Sequence, residues 1–234
     1  MNITKANGKN EYELIENLKK RSGETDEKIV EAVTTIINSV KEQGDEAVRE
    51  FTARFDGIVP RKTVIEKDEL NSYLDCVDED FKNAIIKAKN NIYDFHLRQA
   101  QQSWMTTKEN GVIMGQRIRG LHRVGIYVPG GTAAYPSSVL MNAIPAKIAG
   151  VKEIIMVTPP GKDGNPNPDI MAAAAVAGVD RGFLVGGGQA VAALAFGTEK
   201  IPKVDKIVGP GNIFVATAKK LLYGVVDILS LIHI

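Results

Sequence analysis

A chain of 234 residues is long enough to bury a sizeable core and admits one or two domains. Its 29 Lys and Arg stand against 28 Asp and Glu with no block of like charge, which argues against a nucleic-acid partner or a membrane-surface patch. One cysteine, Cys76, excludes an internal disulfide and fits a reducing cytosol.

Residues 1–10 are polar and lack the apolar core of a signal peptide. Ile29, Val30, Val33, Ile36, Ile37 and Val40 recur at helical spacing, predicting a helix from residue 25 closed by Gly44. Asp45 is expected to cap a second helix carrying Ala47, Val48, Phe51 and Phe55 and ended by Asp56-Gly57. A third helix is expected over 68–76 and a longer one over 80–103, with Phe81, Ile85, Ala88, Ile92 and Phe95 on one face. Cys76 reads as an inert, partly buried thiol, since no neighbouring cation in sequence would activate it. Asn110-Gly111 signals a turn before strands at 112–118 and 123–128.

From residue 125 the charges thin out and strands alternate with helices. Strands are expected at 125–128, 153–158, 182–185 and 206–208, and helices at 137–149, 168–177, 189–196 and 212–223. Asn167-Pro168-Asp169 is a helix start, with a capping side chain, a proline in the first turn and an acid at the positive dipole end. Pro145 predicts a kink or a late start in its helix. The most apolar stretch, 171–178, is too short to span a bilayer, so a soluble cytoplasmic protein is expected. Short strands apolar on both faces, alternating with helices, predict a Rossmann-like doubly wound parallel sheet with right-handed crossovers. A further strand-like run begins at Val225, and the tail 229–234 stands apart from the pattern, foreign sequence joined at a break being one explanation.

Three glycine-rich breaks follow apolar runs: Val128-Pro129-Gly130-Gly131, Val185-Gly186-Gly187-Gly188-Gln189 and Val208-Gly209-Pro210-Gly211-Asn212. At the carboxyl end of a parallel strand such a turn lets backbone approach a ligand, and the next helix offers unpaired N–H groups to a phosphate. The same residues have plainer readings. Gly130, Gly131, Gly187 and Gly211 suit tight turns, Gln189 and Asn212 suit helix caps, and Tyr127 suits a half-buried strand. Lys147 and Lys152 either steer an anionic cofactor or solvate a helix end. His96 and His122 have no neighbours that assign them a metal role.

With these turns in view, the chain resembles histidinol dehydrogenases. The resemblance rests on Gly125-Ile-Tyr-Val-Pro-Gly-Gly131, on the run from Pro136 through Pro145 to Gly150, on the run from Gly186 to Thr198, and on Pro202-Lys-Val-Asp-Lys-Ile-Val-Gly-Pro-Gly-Asn212, together spanning residues 120–228. It implies an NAD- and zinc-dependent oxidation of L-histidinol through L-histidinal to L-histidine, in an intertwined homodimer. It also implies that Tyr127, Gln189 and Asn212, with Gly130, Gly131, Gly187 and Gly211, form the NAD site. In this family the zinc ligands, a catalytic Glu-His pair and most substrate contacts follow the last matched position. No catalytic or metal residue is therefore expected within this chain, which by itself is expected to be inactive. The expected organisation is a helical region and the first segment of a second, incomplete α/β domain over 1–124, the Rossmann-like NAD-binding domain over 125–228, and an unmatched tail over 229–234. A non-catalytic α/β module binding a nucleotide or phosphate in the same crevice remains the alternative, and an interaction fragment with an exposed sheet edge a third.

Overall fold

The computed structural model describes residues 3–23, 27–130 and 135–229. Helices α1 (Asn10–Gly23), α2 (Glu27–Gln43) and α3 (Asp45–Asp56) lead into β1 (Val64–Glu66), then α4 (Lys67–Ser72), a 3-10 turn at Tyr73–Asp75 and α5 (Glu79–Leu97). A hairpin of β2 (Trp104–Thr107) and β3 (Ile113–Gln116) follows. The alternating half runs β4 (Arg123–Tyr127), α6 (Pro136–Ile148), β5 (Glu153–Thr158), α7 (Pro168–Ala177), β6 (Arg181–Leu184), α8 (Gly187–Phe196), β7 (Lys206–Val208), α9 (Ile213–Leu222) and β8 (Asp227–Leu229).

The main sheet has the order β1-β6-β5-β4-β7-β8, parallel throughout except for β1, which pairs antiparallel with β6. From β4 the chain moves outward through β5 and β6, then returns to the other side of β4 for β7 and β8. Right-handed crossovers then require the helices to change face when the direction of travel reverses. They do so. Side chains of α6 and α7 pack in one core with Val124, Ile126, Ile154 and Met156, while those of α8 and α9 pack in the other with Tyr127, Ile155, Val157 and Ile207. Alternation along β4 and β5 thus feeds two cores, and the sheet is doubly wound, as the sequence predicts. Between β4 and β7 the winding changes direction, the place where open α/β sheets bind ligands beyond their carboxyl ends.

Helices α2, α3 and α5 belong to these same layers. Val33, Ile36, Ile37 and Val40 of α2 and Ala47 and Phe51 of α3 are buried in the α8 core, and Ile85 of α5 in the α6 core. Helix α8 is buried on all sides between the sheet and α2, which is why it shows no polar face in sequence. Gly125 makes room for it, since a Cβ there would stand 2.9 Å from Leu194.

Several local expectations shift. Asp45 is the first residue of α3 and Gly44 takes the cap position, with φ 56° and no side-chain hydrogen bond. The third helix tightens into its 3-10 turn after Ser72, and α5 stops at Leu97 because Trp104–Thr107 is claimed by the hairpin. Helix α6 starts at Pro136 and continues through Pro145, whose carbonyl accepts the N–H of Ala149 at 2.9 Å. Asn167 caps α7 as expected, accepting from the N–H groups of Asp169 and Ile170. Cys76 is exposed, not partly buried. Leu229 closes β8, and the rest of the tail lies outside the described residues. No helix among the described residues is long and apolar enough to cross a membrane.

Candidate functional site at the carboxyl edge of the sheet

The two edges of the sheet differ in chemistry. At the amino edge, Glu153 receives Arg123 Nε and Arg181 Nη2, each at 2.6 Å. Burial pushes the Glu153 carboxyl up, but the two guanidiniums outweigh it and hold it below its ordinary range. Asp180 nearby takes the N–H of Ile154 at 2.9 Å and the Lys147 ammonium at 3.0 Å. Lys147 is therefore engaged at the edge opposite the glycine turns, and Lys152, which precedes β5, lies there too. Neither is placed to steer a ligand into the crevice.

At the carboxyl edge the turns pack backbone to backbone. A Cβ on Gly130 would stand 2.9 Å from Thr158 Oγ1 and 3.0 Å from the Pro159 carbonyl, and one on Gly186 would stand 2.5 Å from Pro159 Cγ. Gly209, at φ 111°, lies so tightly on β4 that a Cβ would reach 2.2 Å from the Tyr127 carbonyl. Gly187 needs its glycine twice, for φ 67° and because a Cβ would meet Gln189 Oε1 at 2.5 Å. A Cβ on Gly211 would collide with Val215 at 2.3 Å. Gly131 lies outside the described residues.

Tyr127 is buried, 3% exposed, and its phenolic oxygen accepts the N–H of Gly187 at 3.0 Å. Burial pushes the phenol up to about 12; the Asp56 carboxyl adds to the rise and the Gly187 N–H opposes it. Tyr127 thus anchors the first turn of α8. Gln189, two residues on, is 1% exposed, and neither its Oε1 nor its Nε2 finds a partner. A buried amide without partners costs about 1–3 kcal/mol by protein mutational measures, and Gln189 keeps both a donor and an acceptor unused. Asn212 caps α9, its Oδ1 accepting the N–H of Val215 at 3.1 Å, and the residue stays exposed. The N-cap residue Gly186 has no side chain to offer, so apart from the Gly187 N–H taken by Tyr127 the N–H groups opening α8 add positive potential.

Tyr127, Gln189, Asn212, Gly130, Gly187 and Gly211 therefore share one edge, on turns that touch one another. Two polar groups there escape sequence reasoning. Thr158, 1% exposed, leaves Oγ1 without a partner beside Gly130. Lys219 of α9 is 3% exposed and donates to the Gly209 carbonyl. Thr158 ends an apolar strand and Lys219 sits where cations decorate a helix end, so only the fold marks them. Among the described residues no group of three or more His, Cys, Asp or Glu is arranged to hold a metal ion.

The family model for histidinol dehydrogenase matches residues 19–232, reaching well upstream of the glycine turns. Histidinol dehydrogenase from Clostridium acetobutylicum is 57% identical over 213 residues, covering 91% of this chain and 49% of the relative. That from Lactococcus lactis is 51% identical over 218 residues, covering 92% and 51%. The crystal structure of histidinol dehydrogenase from Elizabethkingia anophelis superposes with a TM-score of 0.80 at 37% identity, over 85% of this chain and 46% of that one. The chain spans about half the length of the curated relatives it matches. A family match over most of the chain, with the doubly wound sheet common to both structures, means that the chain belongs to the histidinol dehydrogenase family.

Proposed function

We propose that this chain supplies the NAD-binding part of a histidinol dehydrogenase, a cytoplasmic homodimer that oxidises L-histidinol through L-histidinal to L-histidine. The observation that carries the reading is the buried, unpartnered Gln189 amide in the first turn of α8, beside the reversal of winding. NAD fits the residues present. Gly187, Gly209 and Gly211 let the turns pack closely on Gln189, Tyr127 and Val215, which brings their backbone to the edge of the crevice, and Gln189 offers a donor and an acceptor. Asn212 presents the half of its amide not used for capping.

When bound, NAD accepts the hydride that each oxidation releases. The work of this chain is to bind and orient it. The N–H groups opening α8 and the Gln189 amide would hold the dinucleotide, and Tyr127 keeps the Gly187 turn in place through its bond to the Gly187 N–H.

The test is titration of NAD into the wild type, Gln189→Ala and Asn212→Ala. The reading expects affinity to fall about tenfold or more in each variant, the scale of one lost hydrogen bond to a buried group. Equal affinity in all three proteins would overturn the site. Binding of AMP and inorganic pyrophosphate as tightly as NAD would favour a module that holds phosphates without redox work.

A further inference from the structure

Lys219 is a buried cation with a neutral acceptor. It is 3% exposed, its ammonium donates to the Gly209 carbonyl, and among the described residues no carboxylate pairs with it. Burial alone pulls its ammonium down to about 8. A methionine of similar length would fill the space without desolvating a charge, so packing does not account for a lysine here.

The contacts that begin at Lys219 pass through the whole site. Its ammonium holds the Gly209 peptide, and Gly209 is pressed on the Tyr127 carbonyl. Tyr127 Oη receives the Gly187 N–H, and Gly187 lies against the Gln189 amide. Asn212 follows Gly209 by three residues on the same turn. We propose that Lys219 is a positioning residue for the dinucleotide: its ammonium clamps the Gly209 turn onto β4, setting Asn212 directly and Gln189 through Tyr127. Two of its three N–H donors remain beyond the Gly209 bond, so the same group adds positive charge beneath the turn that faces an anionic ligand. This inference rests on the NAD reading.

The experiment compares the wild type, Lys219→Met and, as control, Lys220→Met on the exposed side of α9. NAD affinity, thermal melting and hydrogen exchange at residues 209–215 are measured on each. The expected result for Lys219→Met is NAD affinity about tenfold weaker, the scale of a lost charge-assisted bond, with melting unchanged or higher and faster exchange at 209–215. Lys220→Met should behave as wild type. Unchanged affinity and exchange in Lys219→Met would overturn the inference while leaving the NAD reading intact. A wild type that binds no NAD would sink that reading, yet faster exchange in Lys219→Met would still reveal the clamp. Should Lys219→Met not fold, exchange in the wild type decides. Added NAD must slow residues 187–190 and 209–215 together, and protection of one turn without the other overturns the coupling.

Discussion

The phenolic oxygen of Tyr127 on β4 and the amide nitrogen of Gly187, at the start of α8 just after β6, meet at 3.0 Å, although β4 and β6 are not neighbours in the sheet. Helix α8 makes this possible by crossing back over the sheet on its way to β7, so its first turn passes above the end of β4. One side chain thereby connects the turn after β6 to the strand beside the winding reversal.

Replacing Tyr127 with Phe should expose what that bond does. The ring would still fill its place in the core, but the buried Gly187 N–H would lose its acceptor. A loss of about 1–3 kcal/mol is expected, read as a lower urea midpoint with an unchanged slope. NAD affinity should fall with it. A variant as stable as wild type would mean that Gly187 finds water instead.

The turn at Gly209 separates steric from conformational demands on glycine. Gly209→Ala combines φ 111° with a Cβ 2.2 Å from the Tyr127 carbonyl. Gly57→Ala, at the end of α3, has φ 71° but meets nothing within 4 Å. Urea denaturation should give about 1 kcal/mol for Gly57→Ala, from the left-handed backbone alone. Gly209→Ala should lose about 2–6 kcal/mol, because strain and overpacking add. Similar losses at both sites would show that the backbone conformation dominates.

Two buried groups give the stability a distinctive alkaline profile. The Lys219 ammonium titrates at about 8 in the native state against 10.5 normally, so between those values the unfolded chain holds a proton that the native one has released. Stability must then rise with pH through that window, because the cost of the buried charge disappears. Tyr127 runs the other way. Its proton stays on to about 12 against 10.0 normally, so above pH 10 the unfolded chain ionises first and stability falls. Urea midpoints should climb from pH 7 to 9.5 and then level off by pH 11, where the two groups offset each other. Lys219→Met should lose the climb and drop between pH 9.5 and 11, and Tyr127→Phe should go on climbing over that interval.

How far the sequence reveals this molecule depends on where its signal lies. The parallel sheet is legible because strands apolar on both faces alternate with helices whose ends carry Asn167 and Gly178. The short β1 is not, since three residues pairing antiparallel with β6 are specified by the neighbour and not by their own pattern. The placing of Gln189 and Asn212 at the starts of helices is legible from the glycine turns, but the burial of Tyr127 is not. Its orientation follows from the parity of β4 and from α8 passing overhead, both tertiary facts. Lys219 is the clearest case. In sequence it is one of a Lys-Lys pair at a helix end, and only the packing of α9 tells the buried lysine from the solvated one.

The amino edge of the sheet supplies a control. Glu153→Gln would weaken the bonds to Arg123 and Arg181, whose side chains are 22% and 30% exposed. Charged hydrogen bonds in partly solvated positions are each worth a fraction of their buried value, so a loss of about 1–2 kcal/mol is expected. Because the Glu153 carboxyl is held below its ordinary range, that contribution is present at neutral pH and disappears as pH falls through its native value. NAD affinity should not change, since the crevice lies at the other end of the strands. Weaker NAD binding in Glu153→Gln would contradict the division of the sheet into a structural and a binding edge.

The hairpin of β2 and β3 bears on assembly. All eight of its residues are exposed, with Trp104 at 54%, Met105 at 76% and Ile113 at 63%, and an isolated two-stranded hairpin has little stability in water by itself. The homodimer proposed above would cover this hairpin and its exposed apolar surface. Trp104 is the single tryptophan and reports its own surroundings. As protein concentration rises, its emission should shift to the blue in step with dimer formation in sedimentation. Met105→Glu should hold the chain monomeric and abolish the shift, while altering monomer stability by no more than about 0.5 kcal/mol, the usual range for a surface position. Emission that stays fixed while sedimentation reports a dimer would place the interface elsewhere.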